Sequence, residues 1–321
     1  MKIGTRSSAM AMAQTQAAAS MLERAHGNLT VEIEKFVPFG DQDQTSKLLV
    51  HGGKGGAFVQ EIRDAVRAGS LQAAMHSLKD MPGDEEAPGL VIGAVLAREA
   101  VEDVIVLRGD RTLDELTAGK GDGFKIGTNS VRRQALLKTR YPHADIIHFR
   151  GAVDTRIRKL DEKIPQKLPD GGTTDPADAI IVARAGLERL GLADRISHIF
   201  DAEDFLPAIG QGVVALECAR DDFDTLAALK RIEDPATRLC VEAEREMLWI
   251  LNGHCNAPIA GLATIANDQI SLKGAVFSAD GETIIETHVS GAADMPRDIG
   301  RKAGLDLIKK GADALIDAAR L

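Results

Sequence analysis

The sequence predicts an α/β protein whose last hundred residues form a separate α+β domain with a small antiparallel sheet, and three observations carry that reading. Through the first two thirds, short apolar runs alternate with helical patterns, the texture of strands joined by helices. From about residue 222 the order becomes two helical stretches, three strand-like runs and a final helix. The 321 residues, 44% hydrophobic and 27% charged, suffice for two or three domains with substantial cores and exclude global disorder.

Each element has its own warrant. Apolar runs at Lys2 to Thr5, Val31 to Val37, Gln72 to His76, Val104 to Leu107, Lys125 to Thr128, Asp145 to Phe149, Ala179 to Ala183 and Val213 to Glu217 are the expected strands, in mostly parallel sheets. Ser8 caps a helix from Ala9 to Ala25 that Gly27 stops, and Ser130 caps one that ends before Pro142. Phe223 to Ile232, Ala236 to Leu251 and Pro296 to Ala319 read as helices, and 258–265, 270–277 and 283–289 as strands. The polar, glycine-rich stretches 40–57 and 164–177 are the expected mobile loops.

Composition excludes several functions. No run of eighteen apolar residues occurs, and the start MKIGTRSSAM turns polar too early for a secretory signal, so a soluble cytoplasmic protein without membrane contact is expected. Cys218, Cys240 and Cys255 are too scattered for a disulfide scaffold or a paired-ligand zinc site, and no metal is expected. A net charge of −9 and only eleven aromatic residues argue against nucleic acid as a partner. Yet residues 125–159 hold nine Lys or Arg against Asp145 and Asp154, and arginines outnumber lysines 23 to 16. A local arginine cluster in an acidic protein points to a small anionic ligand.

Five constellations bear chemistry. Thr5, Arg6, Ser7 and Ser8 lie where a strand feeds a helix, a place that favours anions; ordinary capping by Ser8 with Arg6 on the surface is the plainer alternative. HGGKGG at 51–56 lacks the spacing of a nucleotide loop and reads either as a lid carrying Lys54 or as a floppy surface loop. MHSLKDMP at 75–82 puts polar side chains at the carboxyl edge of a sheet, where ligands of open α/β folds bind. Asp80 there is either half of a solvated pair with Lys79 or, facing a cleft, a carboxylate placed for proton transfer or for stabilising a cation.

GTNSVRRQ at 127–134 and FRGAVDTRIRKL at 149–160 repeat the strand-to-helix turn and bring Arg132, Arg133, Arg150 and Arg156 to strand ends, a solvated basic face being the alternative. Adjacent arginines cannot share one helix face, so one of Arg132 and Arg133 is expected in the cleft and the other on a carboxylate or backbone group. In LNGHCNAPI at 251–259, loop position and the neighbours Gly253, His254 and Asn256 favour an exposed, partly ionised Cys255, although an isolated cysteine is more often buried and inert. Cys218 and Cys240, inside regular elements, fit the inert reading.

The segments RSSAMAMAQ, GGKGG, HSLKDMP, GTNSVRRQ, RGAVDTRIRKLDE, DAIIVARAGLERLG, LPAIGQGVVALE and NGHCNAPI stand in the order found in the hydroxymethylbilane synthase (porphobilinogen deaminase) family, which the chain resembles from Arg6 to about Thr264. The resemblance implies two lobes like those of type II periplasmic binding proteins plus the C-terminal α+β domain: residues 1–98 with 204–221, residues 99–203, and residues 222–321. It implies a transferase that joins four porphobilinogen units with loss of ammonia and then releases the linear tetrapyrrole hydroxymethylbilane. It also implies one covalent dipyrromethane cofactor per chain, held by a thioether to Cys255, and a monomer.

By the same resemblance Asp80 and Lys79 are catalytic. Ser77, Lys79, Asp80, Thr128, Ser130, Arg132, Arg133 and Arg150 hold the cofactor. Arg6, Ser8, Gln14, Arg150, Arg156 and Arg189 hold substrate carboxylates, and Lys54 and Phe58 belong to the lid. The chain departs from the family at Gln60, Ala152 and His254, where lysine, asparagine and glycine are usual, and 164–177 reads as an insertion. A non-catalytic two-lobed anion-binding protein is the competing reading, because a scaffold does not by itself prove a function.

Overall fold

A computed structural model describes residues 1–36, 57–83, 87–168, 171–253 and 257–319, with the side chains of Ala57 and Phe58 left aside. In the first part of the chain lie β1 (Lys2–Arg6), β2 (Glu32–Phe36), β3 (Ala73–Ser77) and β4 (Leu90–Val95). Next come β5 (Asp103–Leu107), β6 (Lys125–Gly127), β7 (Asp145–Ile147), β8 (Ala179–Ala183) and the short β9 (His198–Ile199), after which β10 (Val214–Ala219) returns to the first group. The sheets run β2-β1-β3-β10-β4 and β7-β6-β8-β5-β9, so the two lobes share the periplasmic-binding-protein-like (type II) arrangement.

The sheets are mostly parallel, as expected, but each contains one reversed strand, β10 in the first and β5 in the second. Within each, the three strands nearest one edge are parallel, while β10 runs against β3 and β4 and β5 runs against β8 and β9. β5 and β10 are buried almost throughout and so read like central parallel strands; their direction is set by where the chain crosses between lobes, which no local pattern records. The sequence reading also passes over β4, interrupted by Gly93, and β9, only two residues long.

Helix Ala9–His26 begins and ends as its sequence dictates: Ser8 Oγ accepts from Ala11 N, and Gly27 takes φ 65°. Ser130 likewise caps Val131–Arg140. The chain passes from the first sheet to the second over 96–102, the first crossing, and returns over 200–213, the second; on the return Gly212 adopts φ 82°, and a Cβ there would lie 2.6 Å from Glu99 O, so the two crossing segments can touch only at a glycine.

The third sheet, β11 (Ile259–Ala266), β12 (Gln269–Phe277) and β13 (Ile284–Ala292), is an antiparallel meander. Helices Pro235–Ile250 and Pro296–Lys309 cover it, and Met247, Leu272, Val276 and Leu307 fill the space between. The expected single last helix is two, because Gly311 at φ 92° separates Pro296–Lys309 from Ala312–Ala318. In the segment 164–177, Lys167 bridges to Thr173 and Gln166 N donates to Thr174 Oγ1, so its described part is a pinned hairpin. No helix of the described residues is long and apolar enough to cross a membrane.

Candidate active site

The first wall of the cleft is the edge of the first sheet. Strand β3 ends at Ser77, whose hydroxyl donates to Gln14 Oε1 at 3.0 Å. Gln14 is buried and its Nε2 has no partner among the described residues, so it presents an amide donor. A 3-10 turn, Leu78–Asp80, follows; Leu78 is locked into the core and its N–H donates to Val213 O. That anchor leaves Lys79 half-buried and Asp80 exposed. Ser8 is occupied as a helix cap, and Arg6 is half-buried beside it at the end of β1.

Lys79 Nζ donates to Gln211 Oε1 at 3.3 Å. Burial pushes its ammonium down to about 8, and Arg133 adds to the shift, while Asp80 and Asp103 oppose it. Burial and Arg133 likewise push Arg156 down to about 10, again opposed by Asp80. Asp80 therefore sits within electrostatic reach of both a lysine and an arginine from opposite lobes.

The second wall is built from the two strand-to-helix turns of the second lobe. Asn129 Oδ1 accepts from Phe149 N at 2.9 Å and so ties the turns together. Thr128 is buried, with its hydroxyl accepting from Ser130 N, and Ser130 Oγ accepts from Arg133 N. Arg156 Nε donates to Gly151 O, and among the described residues no carboxylate lies within ion-pair distance of it. Arg150 is half-buried nearby, its carbonyl accepting from Lys159.

The expected division of labour between Arg132 and Arg133 is not what the structure has. Both guanidiniums turn onto Asp103: Arg132 Nη2 reaches Oδ2 at 2.7 Å, and Arg133 Nη2 reaches Oδ1 at 2.7 Å. The fully buried Asp103, first residue of β5, lies under the helix start and accepts from both, one per carboxylate oxygen. Burial alone would favour its neutral form, but the two arginines outweigh that and hold it ionised, well below the usual carboxylate range. Arg132 Nε remains buried without a partner among the described residues. Arg189, expected on the ligand, pairs with Glu99 at 2.6 Å, with its Nη2 still buried and unpartnered.

Lys54 and Cys255, with His254 and Asn256, lie outside the described residues, as does the side chain of Phe58. The residues flanking Cys255 do meet the site. A Cβ on Gly83, three residues past Asp80, would lie 2.1 Å from Leu248 Cδ2 and 3.4 Å from Gly253 O, and Arg245 Nη2 donates to Pro82 O at 2.9 Å. The turn carrying Asp80 and the segment leading to Cys255 thus pack on one helix. Cys218 and Cys240 are buried, and burial pushes each thiol up to about 11, too high for a ready nucleophile. Gln60 and Ala152 are exposed, and no metal-binding cluster occurs among the described residues.

Sequence reasoning missed Asp103, Asn129 and Gln211. Asp103 looks like the polar flank of an apolar run, Asn129 like an ordinary turn residue, and Gln211 stands alone in a glycine turn. The signal for Asp103 is arithmetic: two adjacent arginines at a buried helix start need a carboxylate.

A family model described as porphobilinogen deaminase, dipyromethane cofactor binding domain, matches residues 1–227, and one for the C-terminal domain of porphobilinogen deaminase matches 238–309. Three curated relatives named porphobilinogen deaminase are similar along their whole lengths. That of Macrococcus caseolyticus is 38% identical over 98% of this chain and 96% of its own. That of Acidithiobacillus ferrooxidans is 38% identical over 100% and 98%, and that of Syntrophobacter fumaroxidans 37% identical over 98% and 96%. Both lobes of the cleft and the third domain fall within these matches, and the chain belongs to the porphobilinogen deaminase family.

Proposed function

We propose that the chain acts as a hydroxymethylbilane synthase, a transferase that condenses four porphobilinogen units with loss of ammonia on a covalent dipyrromethane and releases the linear tetrapyrrole by hydrolysis. The observation that carries the roles is the exposed Asp80 on its anchored turn, beside Lys79 and within the field of Arg156. A ligand made of pyrroles bearing acetate and propionate needs one acceptor for ring N–H groups and many donors for carboxylates. The donor set fits: Asp80 is the acceptor, Arg150, Arg156, Thr128, Ser130 and the amide of Gln14 are the donors, Ser77 orients that amide, and Arg132 and Arg133, paired on Asp103, add positive charge and the Nε of Arg132. Arg132 Nε, Arg189 Nη2 and the Gln14 amide, buried and without partners among the described residues, are donors that a polar ligand would satisfy.

When bound, the dipyrromethane supplies the pyrrole carbon to which each new unit is joined. Cys255 is its proposed anchor, and the buried, poorly ionised Cys218 and Cys240 are excluded from that role by their chemistry. Arg6, Ser8, Arg156 and Arg189 orient the carboxylates of the incoming porphobilinogen, and Lys54 and Phe58 cover it. The Asp80 carboxylate stabilises the positive charge that spreads over the substrate ring as ammonia departs, and its protonated form hands the leaving amine a proton. Lys79, charged below about pH 8, sets the field around Asp80 and binds a substrate carboxylate.

The division 1–98 with 204–221, 99–203 and 222–321, a monomeric state and a cytoplasmic location complete the reading. A non-catalytic binding protein is not favoured, because the family matches extend through the third domain. Asp80→Asn tests the proposal: it keeps the shape of the turn and should fold normally while lowering kcat at least about a hundredfold. Purified Asp80→Asn with its cofactor present and turnover within about threefold of the parent would remove Asp80 from the chemistry.

A further inference from the structure

The second crossing between the lobes carries a buried amide whose every polar group is engaged. Gln211, 1% exposed, lies between Gly210 and Gly212, both in the left-handed region. Its N–H donates to Ala208 O at 2.9 Å and its carbonyl accepts from Arg98 Nε at 3.1 Å. The side-chain Nε2 donates to Val101 O at 2.7 Å and to Asp103 Oδ1 at 3.0 Å, while Oε1 accepts from Lys79 Nζ at 3.3 Å. Only one orientation of the amide is compatible with these neighbours. Turned over, it would set its NH2 against an ammonium and its oxygen against a carboxylate and a carbonyl.

An unbroken polar chain therefore runs from Lys79 in the first lobe through Gln211 to Asp103, and from there to Arg132 and Arg133 in the second. A lysine side chain has four rotatable bonds and costs up to about 2 kcal/mol in entropy to hold still. A neutral, buried, single-orientation acceptor is what fixes it without neutralising it. We propose that Gln211 is a positioning residue for the reaction, holding the Lys79 ammonium beside Asp80 and keying that placement to the arginine pair across the crossing. It touches neither substrate nor cofactor in this role and acts through Lys79.

This inference rests on Lys79 and Asp80 being the reacting pair, so its test has to separate the two. The charged groups that face Lys79 are Asp80 on its own turn, Asp103 from β5, and Arg132 and Arg133 from the helix above them. Substitution at Gln211 leaves these residues in place but removes the Nε2 donor from Asp103 Oδ1, which keeps its two arginines. The pH dependence of Lys79 acetylation by a small anhydride, followed by peptide mass spectrometry on the purified full-length protein, reads the lysine without reference to turnover. The kcat–pH profile of the same preparations reads the reaction.

In the parent the labelling midpoint should lie near pH 8. Gln211→Leu removes the acceptor and should move it down by about half a unit or more, whereas Gln211→Glu adds a carboxylate and should move it up by at least as much. The basic limb of kcat should follow in both directions, which a merely structural crossing residue would not produce. Midpoints unchanged in both variants would overturn the proposal even if both were slow. Midpoints that move while the kcat limb stays fixed would refute Lys79 as a working group, and the positioning role with it. Gln211→Glu keeps the Lys79 acceptor but sets an oxygen against Val101 O and Asp103 Oδ1, so Gln211→Asn, whose shorter amide withdraws from Lys79 and should lower the midpoint as Gln211→Leu does, keeps the measurement if either variant fails to fold.

Discussion

At the scale of single residues, the site is a problem in holding many like charges together. Arg132 and Arg133 are affordable side by side only because Asp103 is ionised between them, each carboxylate oxygen serving one guanidinium. Removing Asp103 would leave two buried guanidiniums uncompensated. Arg156, by contrast, donates to the backbone carbonyl of Gly151, and burial lowers its affinity for its proton. The arginines should divide accordingly. Arg132→Ala and Arg133→Ala should yield protein largely lacking the cofactor mass, while Arg6→Ala and Arg156→Ala keep that mass and lose at least about tenfold in kcat/KM, the cost of one charge-assisted bond. Cofactor mass and parental rates retained in all four would reduce the cluster to a solvated face. The sequence made these arginines legible by their density between residues 125 and 159. It did not reveal their partners, because Asp103 is 29 residues away from Arg132 and meets it only through folding.

At the scale of elements, capped helix starts and apolar runs were readable because their determinants are local: Ser8, Gly27 and Ser130 act on residues within one turn. Strand direction was not, since β5 and β10 take theirs from the crossings. One consequence of that topology is that β10, coming from the far end of the first two domains, inserts Glu217 beside β3 and the helix Ala57–Arg67. There Arg63 grips it through Nε and Nη2, both at 2.9 Å, and His76 Nε2 lies 3.3 Å away. Burial would raise the Glu217 carboxyl, but His76 and Arg63 outweigh it and bring it to about 2 from an ordinary 4.5. A group whose folded value is depressed stabilises the protein above its unfolded value and ceases to do so as pH falls through the folded one. Stability on the order of 3 kcal/mol should therefore be lost between about pH 4.5 and pH 2 through this group. Urea unfolding followed across that range should show a steep acid limb that Glu217→Gln flattens, with the variant already weaker at pH 7. An identical acid limb in the variant would show that Glu217 does not govern it.

At the scale of the whole molecule, both connections between the lobes and the third sheet meet at one carboxylate. Glu244, fully buried in the helix that covers the third sheet, accepts from Arg98 Nη1 and Nη2 at 2.7 and 2.8 Å on the first crossing. It also accepts from Gly210 N on the second crossing and from Ala263 N on β11, each at 2.8 Å. Four donors on one carboxylate join both crossings to the domain that bears Cys255, so Glu244→Ala should cost about 3–5 kcal/mol by stranding Arg98. A urea midpoint within the equivalent of about 1 kcal/mol of the parent would contradict that role. None of this hub was visible in sequence, since Arg98, Gly210, Glu244 and Ala263 belong to four separate segments. Leu248 packs between Gly83, three residues past Asp80, and Gly253, two residues before Cys255, so the chain leading to the proposed anchor meets the Asp80 turn. The most direct test is therefore intact-protein and peptide mass spectrometry of chain produced with porphobilinogen available. The account predicts one dipyrromethane increment per chain, mapped to Cys255, absent with all activity from Cys255→Ser and retained in Cys218→Ser and Cys240→Ser. An increment on another residue, or full activity in Cys255→Ser, would contradict it.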